Sequence, residues 1–471
     1  MFTKMFSKVN KLIINKIPNR FINNFSNKVF ATKISHPKSL VFNHKKEMDR
    51  IHKQITRMKK PSTVDGVIDH KLIEQEFDVD PGLSYFMHDS SQFEFYSSTS
   101  PYPINTRLES NSPANAWIRL VIPFDKDEKL RKNYKLLDND TIRVAKFMEL
   151  LDFFTSMVAY KYCNFLPSKS DYTLVTASVD KIELFENISL LKPLVITSYP
   201  SLIGSSSMEI RADFSSDPDD SDAGFLGTAY FMFAARDAKD HSKKLSLPKC
   251  DFTEGKCFED IDELNKAKLR FEIGAERKLE KIEESHKSLF KTPPSQEESE
   301  ILHKLYLGYK NFKFSNKSAI DNSEIILQKP IIDTLVEKTL LMHSQNRNVH
   351  GKVFGGYIMA MALELAWISA KIHCNYKCFR NICVDTVTFH KPVQVGSIAS
   401  FKAIIDYVYL EMMHASVEVF NNINGVNTLT TTINVIYLCD EPVPLVVPTT
   451  YDCGLKYLEA KRRSERIYSH F

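Results

Sequence analysis

Two stretches of this chain, near residues 141–160 and 355–371, are apolar almost all the way round. The first carries Phe147, Met148, Leu150, Leu151, Phe153, Phe154, Met157 and Val158. The second carries Tyr357, Ile358, Met359, Met361, Leu363, Leu365, Trp367 and Ile368. A helix with no polar face has to be buried on every side, so each stretch predicts a helix wrapped by a curved sheet. Each is followed by runs rich in β-branched and aromatic residues, which predict strands. These runs fall at 173–184, 194–199, 207–214 and 227–236 after the first helix, and at 382–389, 397–407, 411–420 and 428–438 after the second. The two sets correspond in detail. Val179-Asp180-Lys181-Ile182 matches Val384-Asp385-Thr386-Val387, Lys192-Pro193 matches Lys391-Pro392, and FMFAARD ending at Asp237 matches VIYLCD ending at Asp440. The offset stays close to 205 residues throughout. Chance similarity between amphipathic strands would not hold a constant offset, so the chain predicts one duplicated unit, a helix followed by antiparallel strands.

A length of 471 residues suits two such units with connecting segments. No apolar run is long enough for a helical membrane span. The net charge of +4 is local: residues 1–46 hold ten Lys and Arg and no Asp or Glu, and the remainder is slightly acidic. This balance gives no case for a nucleic-acid partner. The basic, acid-free leader is amphipathic around residues 9–17 and predicts a mitochondrial targeting segment, with the protein in the matrix. The expected organisation is a leader at 1–46, an arm at 47–100, a first unit at 101–240, a charged helical linker at 241–320, a second unit at 321–445 and a basic C-terminal helix at 446–471. Helices are expected at 260–289 and 296–309 in the linker, packed outside the sheets, while 451–467 reads as a solvated surface helix. The cysteines lack paired spacing. His373, Cys374, Cys378 and Cys383 invite a zinc reading, but buried free thiols are the simpler one, and no metal site is expected.

The strongest local motif is NRNVHGKVFGG, residues 346–356. Gly351, Gly355 and Gly356 let backbone turn tightly and approach a ligand. The buried helix starts immediately after, and its free N–H groups suit an anion or a carbonyl oxygen gaining charge. The motif closes with no Gly-Lys-Ser/Thr and lacks the G-x-G-x-x-G spacing, so it is neither a phosphate loop nor a dinucleotide fingerprint.

With that loop, the run Val384–Gly396 (VDTVTFHKPVQVG) resembles the hot-dog acyl-CoA thioesterases. Two copies, Phe354-Gly355-Gly356, Glu364-Leu365-Ala366-Trp367 and Val443-Pro444-Leu445-Val446 are most similar to the mitochondrial two-copy branch, the acyl-CoA thioesterase 9 type. The resemblance spans roughly residues 100–465. It implies an α+β chain of two fused hot-dog domains, each an antiparallel sheet around a central helix, that hydrolyses acyl-CoA to free fatty acid and CoA without a cofactor. It also implies a homo-oligomer.

In such enzymes a helix carboxylate of one hot-dog faces a loop amide of its partner. Setting Ala145 opposite Gly356 puts Asp152 at the acidic position of the first copy. The second copy has Leu363 there, followed by Glu364, but keeps the loop amide as Asn348, which the first copy lacks. One composite site per chain is therefore expected, with Asp152 and Asn348 catalytic. A thioester is already activated toward water, and an Asp is ionised near neutral pH, so Asp152 fits a general base or a direct nucleophile. Asn348 would hold the water or the carbonyl. Gly351, Gly355 and Gly356 would receive the oxyanion. Ser156, one turn beyond Asp152, is expected to orient the carboxylate, and Glu364 to form an ion pair or assist the site. Arg347 and Lys391 are candidates for the CoA phosphates. Glu149 is expected to be structural. A non-catalytic acyl-CoA sensor is the alternative. A hot-dog hydratase is disfavoured, because no His stands within either apolar stretch, 141–160 or 355–371, to move a proton at carbon.

Overall fold

The computed structural model describes residues 94–97 and 108–469, apart from 138, 166–171, 218–223, 241, 253–257, 315–327, 349–350 and 424. The leader, most of the arm and His350 lie outside the described residues.

The first copy contributes β1 (Glu94–Ser97), β2 (Ile118–Ile122), helix α1 (Val144–Cys163), β3 (Tyr172–Leu184), β4 (Leu194–Ile203), β5 (Ser207–Ser215) and β6 (Phe225–Asp237). Helices α2 (Phe258–His286) and α3 (Gln296–Phe314) follow. The second copy contributes β7 (Val336–Leu341), α4 (Gly355–His373), β8 (Phe379–Phe389), β9 (Ile398–Tyr409), β10 (Met412–Ile423) and β11 (Val426–Cys439), and α5 (Tyr451–Ser469) closes the chain. The expected strands and helices are all present within a few residues, because hydrophobic period and β-branched content dictate them locally.

The expected pair of sheets is in fact one. Eleven strands run in the order β1-β2-β4-β5-β6-β3-β8-β11-β10-β9-β7. The halves fuse through the antiparallel pair β3–β8, in which Val179 lies opposite Val387 and Ile182 opposite Val384. In the repeat, Val179 corresponds to Val384 and Ile182 to Val387, so exchanging the copies maps each pair onto the other. This is the register of a twofold, self-complementary interface built into one chain. Five strands extend outward from the seam in the same order on each side, with β1 added at one edge.

Helices α1 and α4 pack against each other within this sheet, and one hydrophobic core runs through both halves. Sixteen of the twenty residues of α1 are buried, as its all-round apolar face demands. Helix α4 departs from that expectation: Ile368 and Ile372 are each 42% exposed, so part of its outer face is left uncovered by the described residues.

The repeated Asp of the first matching strand anchors the covering helices. Asp180 pairs with Lys281 of α2, and Asp385 lies 3.7 Å from Arg463 of α5. Helix α5 is consequently more than a solvated element. Leu458 and Ala460 are fully buried, Lys456 reaches Glu418 of β10 at 2.8 Å, and only the outer face meets water. Its basic composition hid an amphipathic helix whose stems and small residues cover the sheet.

Candidate active site

Asp152 lies mid-way along α1, 1% exposed, where α1 crosses the start of α4. Its Oδ1 accepts a hydrogen bond from the Thr176 hydroxyl of β3 at 2.8 Å. Its Oδ2 has no hydrogen-bond partner among the described residues and faces Gly355, where a built Cβ would come within 3.3 Å of it. A buried carboxylate oxygen left without a partner is costly and calls for a functional reason.

The other wall is the N-terminus of α4. Its N-cap residue, Phe354, supplies no side-chain cap, so the first N–H groups and the positive end of the helix dipole are open toward Asp152. Gly356 lets the helices touch: a Cβ there would stand 2.5 Å from the Phe354 ring and 3.2 Å from Cα of Glu149. Burial raises the Asp152 carboxyl from its ordinary 3.8 to about 6, against the pull of the Thr176 hydroxyl and the Gly356 N–H, while Glu149 adds to the rise. A carboxylate of this kind is ionised at neutral pH yet basic enough to take a proton.

Asn348 sits in the turn before α4. Its side-chain oxygen accepts from the Lys352 N–H at 3.1 Å, and its carbonyl accepts from the Gly351 N–H at 3.0 Å. Gly351 needs its φ of +72° to close that turn. The amide oxygen of Asn348 therefore holds its own loop. Ser156 donates to the Phe153 carbonyl at 2.6 Å rather than to Asp152, so the hydroxyl that orients the carboxylate is Thr176. Sequence reasoning missed Thr176 because its role depends on β3 passing beside α1, which no local pattern reveals.

Glu364 pairs with Arg143, the N-cap residue of α1. By the repeat symmetry this is the counterpart of the Asp152–α4 junction. There Leu363, 3% exposed, stands in place of the acid, and an ion pair fills the helix start. Glu149 pairs with Lys146 at 2.7 Å. Arg347 and Lys391 are both exposed. Their turns adjoin, since the Val353 N–H donates to the Val393 carbonyl at 3.1 Å and Lys352 Nζ donates to Gln394 at 2.7 Å.

Replacing Thr176 by Val removes the donor that lowers the Asp152 value. The expected result is an upward shift of the acid limb of a pH–activity profile by about half a unit to one unit. A profile that stays in place would show that Thr176 does not act on this carboxylate.

The comparisons with known proteins agree with this architecture. The family model described as Thioesterase superfamily matches residues 350–427. Acyl-coenzyme A thioesterase 10, mitochondrial, of Mus musculus is 28% identical over 357 residues, covering 74% of this chain and 77% of the relative. Acyl-coenzyme A thioesterase 9, mitochondrial, of Homo sapiens is 27% identical, covering 74% and 76%. Acyl-coenzyme A thioesterase 4, mitochondrial, of Humulus lupulus is 31% identical, covering 68% of this chain and 58% of the relative. The chain therefore carries a thioesterase-superfamily segment in the second of two helix-and-sheet units that are fused through β3 and β8.

Proposed function

We propose that this protein hydrolyses acyl-CoA thioesters to a free acid and CoA, using one composite site at the Asp152–α4 junction. The observation that carries this reading is the buried Asp152 carboxylate, which has the Thr176 hydroxyl on Oδ1 and turns Oδ2 to the uncapped start of the second copy's helix. Water placed there loses a proton to Oδ2 and attacks the thioester carbon. The carbonyl oxygen gains charge beside the N–H groups of Gly355 and Gly356 and is stabilised by them. The intermediate collapses, the C–S bond breaks and the CoA sulfur takes up the proton. Asn348 presents its amide N–H₂ to the water or the carbonyl. Arg347 and Lys391, on adjoining exposed turns, meet the CoA phosphates. At the symmetry-related junction Leu363 cannot accept a proton, so each chain has one working site.

The relatives' names place them in mitochondria, which agrees with the acid-free basic leader, and we assign the protein to the matrix. The uncovered Ile368 and Ile372 on α4 favour assembly with further copies of the chain.

The test is release of CoA, read with a thiol reagent, from a series of acyl-CoA substrates. Absence of turnover across the series would overturn the reading in favour of a binding module. Asn348→Asp separates the loop role from the catalytic one. It keeps an acceptor for the Lys352 N–H but loses the amide donor. We expect kcat to fall about 10- to 100-fold with the melting temperature within about 2 °C of the parent. Full activity in that variant would remove Asn348 from the chemistry.

A further inference from the structure

At the far end of α4, three cysteines meet in one corner that the hydrolytic site does not use. Cys374 follows the last residue of the helix and is fully buried; its Sγ lies 3.4 Å from the Lys371 carbonyl and 3.6 Å from the Lys377 carbonyl. Cys439 ends β11 and is also fully buried. It pairs with Phe379, while the neighbouring Asp440 N–H bonds the Cys378 carbonyl at 3.2 Å, so the end of β11 lies against the turn that carries Cys374. The two buried thiols are near enough to interact. Cys378, next to them, is exposed.

We infer that Cys374 and Cys439 form a peroxide-sensitive dithiol that closes to an intramolecular disulfide, with Cys374 as the attacking sulfur and Cys439 as the resolving one. The asymmetry follows from the surroundings. The interaction with Cys439, and after it the Lys371 ammonium, lower the Cys374 thiol against the opposing effect of burial, while the same interaction, together with burial, pushes the Cys439 thiol up. Access comes through the covering turn. Asn375 and Tyr376 both have left-handed backbones, with φ of +53° and +62°, and Tyr376 is 71% exposed. Two consecutive non-glycine residues in that region cost free energy, so this turn opens more readily than the helix it follows.

The chemistry balances with hydrogen peroxide as the oxidant. The Cys374 sulfur attacks one peroxide oxygen, the O–O bond breaks, and hydroxide leaves and is protonated to water, giving a sulfenic acid. The Cys439 sulfur then attacks the Cys374 sulfur. The S–S bond forms, the S–O bond breaks, and the second water departs with the Cys439 proton. The product ties the end of the central helix of the second copy to the last strand of its sheet.

The experiment treats the folded chain with hydrogen peroxide, unfolds it in an alkylating reagent, and maps the peptides by mass. The expected result is a Cys374–Cys439 cross-linked peptide and an alkylated Cys378. The same cross-link should form in Cys378→Ser, and Cys439→Ser should leave a sulfenic acid on Cys374 that a dione probe captures. Alkylation of both Cys374 and Cys439 after peroxide, or a cross-link that uses Cys378, would overturn the proposal. The peptide map of the unsubstituted chain decides the matter even where a variant fails to fold.

Discussion

Asp152→Asn is expected to abolish turnover, by about 10³-fold or more in kcat, and at the same time to make the protein harder to unfold at pH 8. The two effects have one cause. Burial raises this carboxyl from 3.8 to about 6, so the native state holds its proton more tightly than the unfolded chain does. Stability from this group is therefore greatest below pH 3.8, declines as pH climbs through the interval up to about 6, and stays at its lowest above that. The native state carries an ionised, half-bonded carboxylate at working pH, at a cost on the order of 3 kcal/mol. Asparagine has no such charge to bury. Part of the gain is lost, because its N–H₂ group faces the N–H groups of α4, so a net increase of about 1–2 kcal/mol in unfolding free energy is expected. Urea unfolding at pH 5 and pH 8 checks this: the stabilisation should shrink at the lower pH. In the parent protein kcat/KM should rise with pH through an apparent value near 6. A variant that turns over normally, or one that is less stable at pH 8, would remove Asp152 from the role assigned to it.

The second large effect is expected at Gly356. A methyl group there would overlap the Phe354 ring, at 2.5 and 2.8 Å, and press on the α1 backbone at Glu149, at 3.2 Å. The ring has some freedom to turn, but the backbone of α1 is fixed by a core that surrounds it. Gly356→Ala should therefore push the two helices apart, costing about 2–3 kcal/mol of stability. Activity should fall about 10- to 100-fold, because the N–H groups of α4 and the carboxylate of Asp152 no longer converge on one point. Gly308→Ala provides the control. It sits within α3, where a Cβ meets nothing within 4 Å, so the same substitution should stabilise by about 0.5–1 kcal/mol and leave kcat unchanged. If Gly356→Ala matched the Gly308 result, close approach of the helices would not matter to the site.

How much of this was legible beforehand varies from residue to residue. The strands and both central helices follow from local hydrophobic period, and the duplication follows from a constant offset between matched segments. Asp152 stood out because a carboxylate among Leu151, Phe153 and Phe154 is expensive to bury without purpose. Thr176 did not stand out, since a threonine in a strand is ordinary. The two repeated Asp residues on β3 and β8 looked like part of a family motif. In the fold they are anchors for α2 and α5 on the outer face of the sheet. Helix α5 looked solvated because it is strongly basic, yet its buried residues, among them Cys453, Leu458, Ala460 and Ser464, share a single face.

Sequence alone determined that the chain would build one unit twice and that Asp152 stands in the first copy and Asn348 in the second, because composition and spacing are written along the chain. Tertiary structure alone decided that the copies share one continuous sheet, that Asp152 keeps one oxygen for Thr176 and the other for the start of α4, and that Arg143 and Glu364 close the matching position. Those outcomes depend on which strand edges pair and how closely two helices cross, and such distances arise only when segments remote in the chain are packed together.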